Sequence, residues 1–254
     1  MSYVTASLNA LMTAVKKAGT SLARDFNEIE QLQSSVRGHK EFVASARERT
    51  VRSLRADLQR LKPNYAVVLD GEPEPNAPHF LVAPLDGQTN FAHGLPYFAI
   101  TVAVVENGII TSGVIYNPVT SELCFSEKGQ GAFREGFRNH ERLRASARKD
   151  LAEALVGVDA GESFVVAGAV RAQGCLSLDL ANVAAGRYDA LVSRGNSAAS
   201  IAAGILLVKE AGGYVYELNQ KDIRTDDLAS VLASGNLIAA NAELAKKIYE
   251  QVNK

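Results

Sequence analysis

Residues 80–91 read FLVAPLDGQTNF, an apolar run that stops at Pro84-Leu85-Asp86-Gly87 and continues into Gln88, Thr89, Asn90 and Phe91. The pattern is that of a buried strand feeding a glycine-containing turn, with Asp86 as its one acidic residue. Upstream, YAVVLDG at 65–71 is a second short β-rich run, closed by an acid and a glycine and followed by the proline-rich GEPEPNAPH. Downstream, PYFAITVAVVENGIITSGVIYNP at 96–118 predicts two strands joined at Glu106-Asn107-Gly108, since Asn-Gly is a preferred two-residue hairpin turn. SELCFSEKGQGAF at 121–133 extends this meander.

Two helices precede the β region. Leu8, Leu11, Met12, Val15 and Leu22 recur at helical spacing over residues 5–26, and Val51, Leu54, Leu58 and Leu61 do so over 48–61. The intervening SSVRGHKEFVASA reads as turn-rich around Gly38. Beyond the charged stretch 134–150 the order becomes alternating. LSLDLANVAAG (176–186) reads as helix, RYDALVS (187–193) as strand, AASIAAGILLVKEAG (198–212) as helix, GYVYEL (213–218) and VLASGNLIAA (231–240) as strands, and NAELAKKIYEQVNK (241–254) as a terminal helix. Gly186 and Gly212 stand where helix C-caps belong. The expected architecture is a layered α+β fold forming one unit over residues 1–254, with halves 1–145 and 146–254.

The chain has 254 residues, 47% of them hydrophobic, enough for a sizeable core. With 27 basic and 28 acidic residues the net charge is −1, which gives no signal for generic nucleic-acid or acidic-membrane attraction. No apolar run approaches the roughly 20 residues of a membrane span. Cys124 and Cys175 lack CxxC spacing, the N-terminal pattern is an amphipathic helix rather than a secretory segment, and reduced thiols in a cytoplasmic protein are expected.

Three segments together resemble the inositol monophosphatase family of magnesium-dependent phosphatases, over nearly the whole chain. APLDGQTNFAHGLPYFAITVAV (83–104) is similar to the family signature Asp-Pro-(Leu/Ile)-Asp-Gly-Thr-x-Asn-Phe, GVIYNPVTSELCFSEKGQGAF (113–133) to its meander, and LDLANVAAGRYDALVSRGNSAASIAAGILLVKEAGG (178–213) to its C-terminal signature. The resemblance implies the family's layered α-β-α-β-α sandwich, a homodimer and Mg2+. It implies phosphomonoester hydrolysis in which oxygen-ligated magnesium ions neutralise the phosphate, activate water and stabilise the leaving alkoxide. Some bacterial members also act in ribosomal RNA transcription antitermination.

Carried onto this sequence, the metal ligands are Asp70, the Leu85 carbonyl and Asp86, whereas Ala83 and Ser200 occupy positions where the family has aspartates. Asp70 stands for a glutamate and is shorter by one methylene, about 1.5 Å of reach. Gln88 replaces the threonine that orients the attacking water, so Asp70 and Gln88 are the catalytic positions. Asp86, Gly87, Gln88, Thr89, Cys175, Leu176, Ser193 and Ser200 are the phosphate- or substrate-binding positions; Ser193 falls on a glutamate that contacts substrate hydroxyls, and Gly174-Cys175-Leu176 replaces a Gly-Ser-Ala turn. Arg47 aligns with an early-loop aspartate and is a candidate salt-bridge partner for Asp86. Glu72 and Glu74 are candidates for a compensating ligand.

Two carboxylates do not neutralise two divalent ions, so catalysis is expected to be impaired or lost. Each residue also has an ordinary reading: Asp86 caps the helix starting near Gly87, Asp70 is a turn residue, and Cys175 is a small buried hydrophobe. Gly87-Gln88-Thr89 retains backbone amides that can bind an anion whatever the side chains. Three functions follow as alternatives: a phosphatase-like protein that acts by binding a small phosphorylated ligand or a protein partner; an active magnesium-dependent phosphomonoesterase with a rearranged site; and a regulatory role such as antitermination.

Overall fold

The structure is a computed structural model that describes residues 4–29, 36–69, 77–159, 168–219 and 228–252. The elements run α1 (Ala6–Ile29), α2 (Val36–Leu61), β1 (Ala66–Val68), β2 (His79–Asp86), α3 (Gln88–Ala92), β3 (Ala99–Glu106), β4 (Ile109–Asn117), β5 (Glu122–Glu127), β6 (Gly131–Arg134) and β7 (Glu141–Arg142). After a short 3-10 turn come β8 (Leu155–Val158), β9 (Ala169–Arg171), α4 (Leu176–Ala184), β10 (Ala190–Ser193), α5 (Ala198–Glu210), β11 (Tyr214–Glu217), α6 (Leu228–Ser234), β12 (Leu237–Ala240) and α7 (Ala242–Val252). Strands β1 to β7 form one sheet in sequence order, antiparallel except for β1 against β2. A second, mixed sheet has the order β11-β12-β10-β8-β9.

The period-two alternation of strand side chains builds the layers. In β2, Phe80 and Val82 join Leu11, Val15, Leu22, Leu54 and Leu58 in a core beneath α1 and α2, whereas Leu81 and Ala83 point into a second core with residues of α4 and α5. A third core lies between the second sheet and α7, built from Val156, Val192, Ile238, Leu244 and Ile248. Helix, sheet, helix, sheet and helix thus stack as five layers, the architecture expected from the sequence. The hairpin at residues 106–109 has Asn107 and Gly108 at φ 52° and 73°, the left-handed values a type I′ turn requires.

The structure differs from the sequence reading in two places. Helix α2 starts at Val36 rather than near residue 48, because Val43, Ala46, Thr50, Leu54 and Leu58 make one buried stripe at helical spacing and Gly38 falls in its first turn. Residues 231–234 belong to α6, not to a strand, and only Leu237–Ala240 enters the sheet.

Helix α5 is packed so closely on β4 that a Cβ at Gly113 would lie 2.9 Å from the Ala203 Cα and 3.1 Å from its carbonyl oxygen. Both obstacles are backbone, so relief requires moving the helix. Gly113→Ala is expected to cost about 1–3 kcal/mol of stability, measured by urea denaturation, while Gly129→Ala, where a Cβ meets no atom within 4 Å, changes packing little. Gly129 has φ +77°, so its cost is a backbone one of about 1 kcal/mol.

Candidate functional site

The site is organised by the end of β2. Pairing with β3 shifts register between Ala83 and Asp86, so the strand bulges where Pro84 has no N–H to donate to the ladder. The chain turns at Gly87, φ +78°, where a Cβ would sit 2.9 Å from the Tyr97 carbonyl oxygen and 3.0 Å from the Cys175 Cβ. Only glycine meets both the conformation and the space. Helix α3 follows at once, with Gln88 and Thr89 outside the core and Phe91 fully buried against Phe26 and Phe98. Asn90 staples the turn to the approach of α4 by donating to the carbonyls of Tyr97 and Gln173, both at 2.7 Å.

Asp86 does not cap α3; its N-cap is Gly87, with no side-chain bond. The Asp86 carboxylate instead reaches across the turn to the N-terminus of α4. Its Oδ2 accepts from the Ser177 backbone N–H at 2.8 Å, and the Cys175 thiol donates to the same oxygen at 3.5 Å. A free backbone amide and the positive end of the helix dipole satisfy the carboxylate there. Burial raises the Asp86 pKa, and the bonds from Ser177, then Cys175 and the Gly87 amide, oppose that rise. Cys175 is the N-cap of α4, buried as expected, and its thiol pKa lies well above the ordinary value, first because of burial and then because of the Asp86 charge.

Ala83 is 8% exposed and belongs to the apolar cluster containing Ala99, Leu176 and Ala199. Its directly paired partner on β3 is Thr101, whose hydroxyl is fully buried and has no hydrogen-bond partner among the described residues. Ser200 is in the first turn of α5, where its N–H donates to the hydroxyl of the N-cap Ser197 at 3.3 Å. Ser193 is fully buried and donates to Asp159 Oδ2 at 2.9 Å. Leu85 is buried in the core beneath α1 and α2. Arg47 is half-buried on α2. Asp70, Glu72 and Glu74 lie outside the described residues.

Among the described residues no group of three or more His, Cys, Asp or Glu is placed to hold a metal ion. Of the described residues at the expected ligand positions, Asp86 is engaged by α4 and the methyl of Ala83 offers no donor. These residues do not fit a two-magnesium centre.

The inositol monophosphatase family model matches residues 4–254. The chain belongs to that family. It is 38% identical to the inositol-1-monophosphatase of Rhizobium meliloti strain 1021, over 98% of this chain and 97% of that protein. It is 31% identical to a protein named Nus factor SuhB from Xylella fastidiosa strain Temecula1, over 97% of this chain and 94% of that one. The crystal structure of the extragenic suppressor protein SuhB from Bartonella henselae superposes with a TM-score of 0.82 at 32% identity, covering 99% of this chain and 100% of that one.

In this member of the inositol monophosphatase family the site includes acids that the sequence reading passed over. Asp179, in the first turn of α4, is 2% exposed and accepts from the Tyr97 hydroxyl at 2.7 Å, which in turn accepts from the Asn182 amide at 2.9 Å. Burial pushes Asp179 up to about 7; the Tyr97 bond opposes this, and the charges of Asp86 and Asp159 add to it. Asp179 therefore feels two other carboxylates. Nothing in its sequence context, LSLDLAN, distinguishes it from a solvated helical acid.

Because the folded-state pKa of Asp179 is above its ordinary value of 3.8, the folded chain holds this proton more tightly than the unfolded one. Its contribution to stability is greatest at low pH and falls as pH rises from about 4 to about 7, by up to about 1.4 kcal/mol per pH unit. Asp179→Asn keeps an oxygen acceptor for Tyr97 and removes the titration. Its stability relative to the parent is expected to increase between pH 5 and pH 8, read by urea denaturation at each pH. A constant difference across that range would assign the proton elsewhere.

Proposed function

We propose that this chain is an inositol monophosphatase-family protein whose phosphatase chemistry is impaired or absent and which acts by binding a small phosphorylated ligand. The observation that carries the reading is the use made of Asp86. Its carboxylate is tied to the α4 N-terminus by Ser177 and Cys175, and its counterpart position, Ala83, is packed as a hydrophobe. A hard cation needs several oxygens converging on it, and the side chains at 83 and 200 that would supply two of them are a methyl and a hydroxyl.

What persists is the backbone of the turn. Gly87 keeps its left-handed conformation, and Gln88 and Thr89 stand outside the core above it. A phosphate approaching these residues needs amides rather than carboxylates, and amides survive side-chain replacement. Magnesium, where it binds, is expected to use Asp70, Asp86 and the Leu85 carbonyl. A cytoplasmic homodimer is the assembly we assign to the protein.

Magnesium titration by calorimetry, run beside a phosphatase assay on inositol phosphate and an aryl phosphate, tests this reading. Weak magnesium binding and turnover far below about 1 s⁻¹ are expected, since ordinary enzymes run at about 1–1000 s⁻¹. Tight binding with turnover in that ordinary range would show an active enzyme with a rearranged site. Ala83→Asp combined with Ser200→Asp is expected to raise magnesium affinity at least tenfold. The carboxylate introduced at position 83 lies opposite the Thr101 hydroxyl, which has no hydrogen-bond partner among the described residues, so adding Thr101→Val should reduce the gain.

A second reading, regulation through a protein partner, is favoured by the relatives named Nus factor SuhB. It places this chain in transcription antitermination and is compatible with lost catalysis. Affinity capture that recovers transcription proteins with wild-type chain would support it, and capture that recovers none would leave it without basis.

A further inference from the structure

The charged stretch REGFRNHERLRASARKD (134–150) holds six Lys or Arg residues against three acids, in a chain whose net charge is −1. Its acids are engaged within the protein. Glu135 pairs with Lys16 of α1 at 2.8 Å, Glu141 pairs with Arg134, and Asp150 accepts from the Ala152 N–H at 3.0 Å. Arg148 and Lys149 pair with Asp189 and Glu243. Arg138, Arg142 and Arg144 are exposed and have no acidic partner among the described residues. A cationic band is thus left uncompensated on a chain of balanced charge, and such a band attracts a polyanion locally.

The same band carries a bare aromatic ring. Phe137, in the loop between β6 and β7, is 101% exposed, whereas the other exposed large hydrophobics of the described residues are 38–53% exposed. The loop holds the ring out on a fixed frame. The Asn139 carbonyl oxygen lies 2.2 Å from where a Gly136 Cβ would be, so the chain turns tightly on itself, and His140 packs edge-on against Phe125 with ring centroids 5.0 Å apart. On β7 the Arg142 guanidinium lies over the Phe133 ring, 5.9 Å from its centroid, and Phe133 stacks on Phe125 at 5.7 Å. Leu143, buried and bonded through its N–H to the Ala132 carbonyl at 2.8 Å, anchors the backbone between Arg142 and Arg144.

We propose that Phe137, Arg138, Arg142 and Arg144 form a docking surface for a single-stranded polynucleotide, with a base stacked on Phe137 and phosphates on the arginines. The chemistry selects this occupant. An unpaired base offers a π-face to a phenyl ring or a guanidinium plane, and its phosphates match the arginine fork. A duplex keeps its bases stacked on one another, an acidic peptide supplies the charge without a base for Phe137, and one inserted ring holds a protein at a membrane only weakly.

The test uses the full chain and fluorescence anisotropy with two fluorescein-labelled probes, oligouridylate and oligothymidylate of about 12 nucleotides. Saturable binding below about 100 μM is expected, weakening between about 50 and about 200 mM KCl with a log–log slope near −2, about 0.7 for each of three phosphates. Phe137→Ala is expected to weaken binding about fivefold or more at unchanged slope, and Phe137→Tyr to stay within about twofold of wild type. Arg138→Gln combined with Arg144→Gln is expected to make the slope shallower by about 1.4. All three side chains are exposed, so these variants are expected to keep the wild-type urea midpoint. Tighter binding of oligouridylate supports the proposal and assigns RNA; equal binding supports it for any single strand. Absence of saturable binding of either probe overturns it, as does unchanged affinity in Phe137→Ala or an unchanged slope in the arginine variant. Poly-L-glutamate that displaces the probe as readily as unlabelled oligonucleotide at equal charge would make this a surface for an acidic protein segment, and retention on phosphatidylserine vesicles with neither probe bound would make it a membrane contact; either result overturns the proposal.

Discussion

Helix α5 has no polar face over most of its length. From Ile201 to Val208 every residue is buried, so the helix must be covered on all sides at once. The first sheet covers one side, with β4 in backbone contact at Gly113; α4 covers another, where a Cβ on Gly204 would fall 2.5 Å from the Leu180 Cβ. Val215, Leu237 and Ala239 of the second sheet close the cluster. Both sheets and α4 are therefore referred to one apolar rod. At its carboxyl end Glu210 accepts from the Gly129 and Gly131 amides at 2.7 and 2.8 Å, which locks the β5–β6 turn to the helix. At its amino end the rod emerges at Ser197, beside the position of Ser200 and close to the frame that holds Asp159.

This arrangement explains why the turn at residues 84–92 keeps its geometry. Its shape depends on Gly87 beneath Tyr97 and Cys175, on the aromatic contacts of Phe91, and on Asn90 bonded to two carbonyls. None of these interactions requires a metal. The side chains at 83, 88 and 200 can therefore differ without disturbing any support of the backbone. Fold and chemistry are separable here because different atoms of the same segment carry them.

Much of this was legible in the sequence. The buried strand before Asp86, the Asn107-Gly108 hairpin and the glycines that end α4 and α5 are local signals; the structure has the strand and the hairpin, and Gly186 and Gly212 take left-handed φ one residue past the C-caps Ala185 and Ala211. The start of α2 was not, because Gly38 outweighed a buried stripe whose regularity appears only once α1 covers it. The destination of the Asp86 carboxylate was also hidden. An aspartate before a helix reads as that helix's cap, but Ser177 is 91 residues away, and no local rule reports which distant helix end will be brought opposite. Asp159 and Asp179 escaped for the same reason: a carboxylate's role is set by the neighbours the fold gives it.

The buried acids also show what a side chain other than a carboxylate at 83 and 200 avoids. In a metal centre, clustered carboxylates repel one another whenever the ions are gone, and burial makes each charge more costly. Asp86 and Asp159 already raise the proton affinity of Asp179, so further carboxylates at 83 and 200 would add charge to a region in which one acid already titrates at about 7. Ala83 and Ser200 avoid that repulsion. What remains is distributed so that each acid has a donor of its own: Ser177 and Cys175 for Asp86, Tyr97 for Asp179, Ser193 and Asn196 for Asp159. Carboxylates arranged to share a cation need a common focus, whereas these three are each drawn toward a different part of the protein frame. Each of these acids is thus satisfied by donors that the fold itself supplies, and the charge that burial makes costly is spread over three separate parts of the frame.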